Sequence, residues 1–556
     1  MAYPTTDMNT VQQRSFLRVP PFPGAQPVSL ASPSFGGDAI QSAEIERLLV
    51  LTKKLRVGGA YWAAQPSMPD EPYILVRIRD IAERVRILAN HSAKSIVCWV
   101  DDPSRVEFSG SSIVSGTCDP WHLVRGASHV IADADDELAL IAAISEIPLT
   151  TVGRDQSADL SSKGELNRIF RRLVLDQSYR DPFTNQRMSP EAAIRLCGFW
   201  RRLIDSNRNI GGAIGFALWK RSTVTALLWG GSSVNFISSL RRADLSGRIA
   251  VWKSRVPIPI LSEIERAGVE VIEVEDGFIR SAGLGADCVP PLSIVVDRLG
   301  VHFDPNRESE LEHLIAHAQF PDDLIERARV LRRFIVASGV SKYGVGLASA
   351  YERTSDRRHI LVPGQVEDDR AVLCGSGQVT GNLDLLRRVR QDRPDAVILY
   401  KPHPDVEAGH RVGRIPDKQC LEFADQVVRD QPISALIALV DELHVNTSLA
   451  GFEGLLREKS VTTHGVPFYA GWGLTRDLGP VPKRRTKKCK LDELVAAVLL
   501  EYPRYLDPKT GLPCPPEILV HRIADGSTAD RLGTVVKMRR LQGKLKKNLA
   551  SLRVAR

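Results

Sequence analysis

The chain has 556 residues, 43% hydrophobic and 25% charged, enough for two large or about three ordinary domains and too balanced for a disordered or fibrous protein. No apolar run approaches the ~18 residues of a spanning helix, the N-terminus lacks a secretory signal, and the eight cysteines are scattered without a CxxC pair; a reducing, cytoplasmic setting without a zinc site is expected. The net charge of +8 equals the excess carried by residues 526–556 alone, nine Lys and Arg against Asp530, so the body of the chain is balanced and no nucleic-acid partner is expected.

In chain order, residues 1–40 are polar and rich in Pro and Ser, and are expected to be disordered. Residues 41–158 read as one α/β lobe, with a helix over 73–90, a strand over 95–100, a helix over 135–145 and a strand over 148–152. A helical linker is expected over 159–199. Residues 200–345 form the first lobe of a complete unit, where strand 248–252, helix 260–267 and strand 269–274 make a βαβ unit. Residues 346–525 form its second lobe and closing helices, with helices over 382–390 and 449–457 and strands over 396–400 and 460–464. Such alternation predicts mostly parallel sheets, and paired lobes of this kind place a cleft at the carboxyl ends of their strands. In residues 526–556, Leu541, Leu545, Leu549 and Leu552 recur at helical spacing among the basic residues. This tail reads as a basic amphipathic helix suited to an anionic membrane surface.

The chain also repeats itself. Tyr179-Arg-Asp181-Pro182-Phe-Thr184, followed by Pro190-Glu191, matches Tyr505-Leu-Asp507-Pro508-Lys-Thr510, followed by Pro516-Glu517, at a constant offset of 326 residues. Weaker pairings join Gln65 to Gln365, Asp102-Pro103 to His403-Pro404, Asp135-Asp136 to Thr447-Ser448, and residues 149–153 to 461–465. Residues 41–158 are therefore read as a degenerate remnant of a first copy.

Four stretches carry candidate chemistry. Glu275-Asp276 sits at the end of the strand over 269–274, where one carboxylate can hold a proton while its neighbour stays ionised, and Arg280 adds a fixed charge suited to a carboxylate or phosphate. Gln365 and Asp368-Asp369 follow the strand over 360–362, placed for catalysis or for solvent. Lys401-Pro402-His403-Pro404 holds a histidine between two prolines at a strand end. Thr447-Ser448, with Glu453 behind them, opens a helix whose hydroxyls and free N–H groups suit an anion. Walker, HExxH, nucleophile-elbow and dinucleotide-binding patterns are absent from the sequence.

The strings EDGFIRSAGLGADCVPPLSIVVD, LVPGQVEDD, YKPHPDV, TSLAGFEGLL and GVPFYAGWGLT together resemble the bacterial capsule polysaccharide β-Kdo transferases of the KpsC type, over about residues 161–523. The resemblance implies a GT-B-like α/β fold with two Rossmann-like lobes and a retaining transfer of Kdo from CMP-Kdo to a lipid-linked capsular or surface polysaccharide at the inner membrane's cytoplasmic face. It implies Asp369 as nucleophile and Glu275, or its neighbour Asp276, as acid/base. Gln365, Lys401, His403, Thr447 and Ser448 would hold the donor, with Arg280 and Glu453 beside them, and no metal or cofactor is called for. Capsule assembly and export proteins are the implied partners. Two readings compete: a transferase of the same fold using another CMP-linked ulosonic acid, and a non-catalytic assembly or export protein.

Overall fold

The computed structural model describes residues 15–33, 41–78, 96–101, 112–134, 136–152, 163–240, 247–281, 289–342, 344–346, 351–353, 355–409 and 411–527. The basic tail beyond residue 527, Asp102-Pro103 and Asp135 lie outside the described residues. The chain divides into two compact units, residues 1–209 with 228–233, and residues 210–227 with 234–556. Among the described residues no helix is long and apolar enough to cross a membrane.

The first unit carries β1 (Ala31–Pro33), β2 (Tyr73–Ile78), β3 (Ile96–Val100), β4 (Ser112–Ser115), β5 (Ala127–Asp133), β6 (Leu149–Val152), β7 (Gln177–Arg180) and β8 (Arg187–Met188). Strands β2 to β6 make a parallel sheet in the order β4-β3-β2-β5-β6. The expected helix over 73–90 is corrected at its start. Tyr73-Ile-Leu-Val-Arg-Ile is the central strand, shielded on both faces, and a run that is apolar on both sides has no period to separate strand from helix. Residues 79–90 lie outside the described set.

Two further expectations change. Within 1–40, residues 15–33 are not disordered: Phe16, Leu17, Val19, Phe22 and Leu30 are buried, and β1 pairs antiparallel with β7. The segment 159–199 is no linker. Its described part holds the helix Lys163–Phe170, a π-helical turn, the β7–β8 hairpin and the start of the helix Pro190–Asn207, which buries Ala193, Ile194, Cys197 and Trp200.

The second unit holds two sheets. The first contains β9 (Ile210–Ile214), β10 (Phe236–Ile237), β11 (Arg248–Val251), β12 (Val271–Asp276) and β13 (Ser293–Asp297). A small hairpin, β14 (Val340–Ser341) with β15 (Gly344–Val345), leads to the second sheet: β16 (His359–Pro363), β17 (Val397–Lys401), β18 (Gln426–Val427), β19 (Glu442–Val445), β20 (Ser460–Thr463) and β21 (Arg476–Asp477). The chain then returns to the first sheet with β22 (Pro503–Leu506) and β23 (Pro513–Cys514), giving the order β10-β9-β11-β12-β13-β22-β23. This sheet is mixed, because β12, β13, β22 and β23 run antiparallel to one another in turn. The first lobe thus begins at 210 rather than 200 and is completed by residues assigned from the sequence to the second lobe. The second sheet is wholly parallel, in the order β18-β17-β16-β19-β20-β21.

The internal repeat is structural. β7 and β8 correspond residue for residue to β22 and β23 at the 326-residue offset. In both copies the turn aspartate, Asp181 or Asp507, accepts from the N–H groups two and three residues on. The fourth residue after it is left-handed, Asn185 at φ 60° and Gly511 at φ 72°. β1 meets β7 as β13 meets β22, Ala31 opposite Tyr179 and Ser293 opposite Tyr505. The five-stranded sheet and the second sheet also share one strand order up to β21. The pairing of Gln65 with Gln365 is corrected: Gln365 follows β16, whereas Gln65 precedes β2 and bonds to Asp119.

Candidate active site

The site is built in the second unit at the carboxyl ends of β12, β16, β17 and β19. Glu275 and Asp276 close β12 and, as successive strand residues, face opposite ways. Asp276 binds Arg280 at 3.0 Å and Lys220 at 3.5 Å. Burial opposes its ionisation, but Arg280, Lys220 and Lys342 outweigh burial and hold the carboxyl well below the usual range. Glu275 is pushed the other way, to about 7, because burial outweighs Lys220 and Arg370, with Asp276 and Asp369 adding to the rise. The paired carboxylates are therefore split, one fixed as an anion and one exchanging its proton near neutrality. Arg280 is fully buried, and its remaining donors go to Ser281 and the Val289 carbonyl.

After β16, Gln365 reaches Thr447 twice. Its Nε2 donates to Thr447 Oγ1 at 2.9 Å, and its Oε1 accepts from the Thr447 N–H at 2.9 Å. Asp368 pairs with Arg411 at 3.0 Å. Asp369 takes the N-cap position of the helix Arg370–Gly375, yet its side chain caps nothing and is half exposed. After β17, Lys401 donates to the Arg429 carbonyl at 2.6 Å. His403 Nδ1 accepts from the Asp405 N–H at 3.1 Å, and burial, with Lys342 and Arg411, pushes the ring down to about 4. The ring is neutral at physiological pH, with its proton on Nε2 as a donor. After β19, Ser448 rather than Thr447 caps the helix Leu449–Leu456, accepting from the Ala450 N–H at 3.2 Å. Glu453, inside that helix, accepts from the Lys342 N–H, and its Oε2 has no hydrogen-bond partner among the described residues. The Phe278 ring lies 4.8 Å from that of Phe468 in the loop after β20, tilted by 46°, in an apolar seam between the lobes.

The sequence reading missed Lys220, Lys342 and Arg370. Lys220 left a signal: on the helix Leu218–Leu227 it shares the buried face with Thr223, Val224 and Leu227, where a lysine needs a carboxylate. The first copy shows the contrast. Its equivalent helix begins at Asp136 and Glu137, which meet Arg77 and Arg18 at 3.5 and 2.6 Å, so the chain's own carboxylates stand where the second copy offers hydroxyls. Elsewhere Glu308, His313 and His317 bring ligand atoms within 4.8 Å of one another, an exposed trio of a kind common without a metal ion.

The sequence profile of a family described as capsule polysaccharide biosynthesis protein matches residues 248–344 and 335–505, a span that includes Glu275, Asp276, Arg280, Gln365, Asp369, Lys401, His403, Thr447 and Ser448 but not Lys220. The capsule polysaccharide modification protein LipA of Neisseria meningitidis is 40% identical over 352 residues, 62% of this chain and 50% of LipA; the chain spans about half the length of the curated relatives it matches. Two structures of Thermosulfurimonas dismutans KpsC are similar. The beta Kdo 2,7 transferase is 31% identical, covering 57% of this chain and 99% of its own, with a TM-score of 0.47. The beta Kdo 2,4 transferase is 28% identical, covering 56% and 98%, with a TM-score of 0.50. This chain belongs to the capsule polysaccharide biosynthesis protein family.

Proposed function

We propose that the second unit is a retaining β-Kdo glycosyltransferase of GT-B type, which moves Kdo from CMP-Kdo to a lipid-linked capsular or surface polysaccharide. The observation that carries this reading is the opposition of a half-exposed carboxylate, Asp369, to a mostly shielded one, Glu275, that exchanges its proton near neutral pH. An Asp369 oxygen attacks the anomeric carbon of Kdo, and the bond to the CMP phosphate breaks with its electron pair on the phosphate oxygen. The product is a glycosyl ester. An acceptor hydroxyl then attacks the same carbon, giving its proton to Glu275 while the Asp369 carboxylate leaves. Two inversions retain the configuration. Glu275 is preferred over Asp276 as the acid/base because Asp276 is held ionised by Arg280 and Lys220.

The departing phosphate needs donors rather than a proton. The Nε2–H of His403, the N-terminus capped by Ser448 and the ammonium of Lys401 supply them, with Thr447 oriented by Gln365. Arg280 acts through Asp276, and the unpartnered oxygen of Glu453 suits a ribose hydroxyl. The similarity to the Thermosulfurimonas dismutans KpsC beta Kdo 2,4 transferase supports the choice of donor. Incubation with CMP-Kdo, followed by intact-protein mass spectrometry, tests the reading. The wild type should gain one sugar, and Asp369→Asn should gain none and turn over nothing while still binding CMP. Turnover by Asp369→Asn near the wild-type rate would remove the nucleophile role.

A further inference from the structure

Arg370 directly follows the proposed nucleophile and opens the helix Arg370–Gly375. Its guanidinium reaches out of the second lobe to the first. One nitrogen binds Glu275 at 3.0 Å and the other binds Glu273 at 3.3 Å. Glu273 and Glu275 lie two apart on β12 and so share a face, presenting two carboxylates to one planar fork. Glu273 is held from behind by Lys253, and the Arg370 guanidinium carbon lies 5.1 Å from the Phe303 ring centroid. Glu273, Glu275, Lys253 and Phe303 all come from the first lobe, while the backbone of Arg370 is continuous with Asp369.

We propose that Arg370 is a positioning residue, a latch across the cleft that seats the Asp369 carboxylate opposite Glu275 and sets the pH at which Glu275 exchanges its proton. The inference rests on the reading of Asp369 and Glu275 given above. The charged groups around Glu275 are Lys220 from the helix Leu218–Leu227, Glu273 on the same face of β12 and Asp276 on the other, and Asp369 and Arg370 from the second lobe. Lys220 is shared with Asp276, and Arg370 is the cation hydrogen-bonded to Glu275. Without it, burial and the neighbouring anions Asp276 and Asp369, with Glu273 on the same face, would oppose ionisation against Lys220. Deprotonation of the acceptor requires ionised Glu275, so the ascending limb of the pH profile would move to higher pH.

The test uses the full chain with Arg370→Gln and Arg370→Lys. With CMP-Kdo and a Kdo-terminated glycolipid, Arg370→Gln should shift the ascending limb of kcat up by about one pH unit. It should lower kcat on the order of 10- to 100-fold with little change in KM, because the misplacement acts on the reacting geometry. Arg370→Lys should return the limb to its wild-type position while kcat stays reduced, since a point charge cannot clamp two carboxylates. Carbon-13 titration of labelled glutamate carboxyls, with Glu275 assigned from the Glu275→Gln spectrum, gives a readout free of substrate. Its midpoint should rise in Arg370→Gln. Failure of the wild type to form an adduct would defeat the transferase reading, and the carboxyl titration would still decide the latch. A folded Arg370→Gln protein with the Glu275 titration unmoved would overturn it.

Discussion

Adjacent carboxylates on β12 should respond in opposite directions to the loss of their charge. Glu275 is raised from the ordinary 4.5 to about 7. At 1.36 kcal/mol per pH unit, ionising it in the folded protein costs stability up to roughly 3 kcal/mol. That stability is fully present below about pH 4.5 and is lost as pH rises through about 7. Glu275→Gln keeps the shape of the protonated acid and should therefore stabilise the protein at pH 8 by up to about 3 kcal/mol, with little effect under acid conditions. Asp276→Asn should do the reverse, leaving the wholly buried Arg280 and the buried Lys220 without their shared anion. Breaking a buried pair from one side costs about 3–5 kcal/mol. Urea denaturation of both variants at pH 5 and pH 8 measures this directly. If Glu275→Gln destabilised the protein at pH 8, or if both variants moved alike, the split assigned to the two carboxylates would be wrong. The stabilised Glu275→Gln protein should also be inactive, a trade expected where a strained group serves catalysis.

Two other outcomes follow from the site's geometry. His403→Ala and Ser448→Ala should each weaken CMP binding by about 1–2 kcal/mol in calorimetric titration, the usual value of one anion-directed donor or cap; unchanged affinity in both would move the phosphate elsewhere. Gly451→Ala would bring a Cβ within 2.1 Å of the Tyr469 hydroxyl, which donates to the Ser448 carbonyl. It should cost about 1–3 kcal/mol in a thermal melt, whereas Gly164→Ala, with nothing within 4 Å, should cost nothing; equal melting of the two would discount that close approach.

The strand ends that carry Glu275, Gln365, Lys401 and Thr447 were legible because each motif follows a short apolar run, and both runs and turns are local. The Asp181 and Asp507 turns betrayed the repeat for the same reason, since each aspartate bonds only to the next few residues. β1 was illegible: Ala-Ser-Pro has no strand character of its own and is defined by β7, almost 150 positions later in the chain. Tyr73–Ile78 misled because a central parallel strand lacks alternation. Arg370 carries no local sign of its partners, because Glu273 and Glu275 are brought to it by the fold.

The return of β22 and β23 to the first sheet also bears on how the chain is made. On a ribosome, β9 to β13 emerge early, but the partner of β13 is not synthesised until residues 503–506. In the meantime β13 presents an open edge, a template for mispairing with another chain. The second sheet is contiguous in sequence and can close while its neighbour waits. The last part of the unit to be translated therefore completes the first sheet to be started, and a gene fragment ending near residue 500 would leave an unfinished lobe rather than a shortened one.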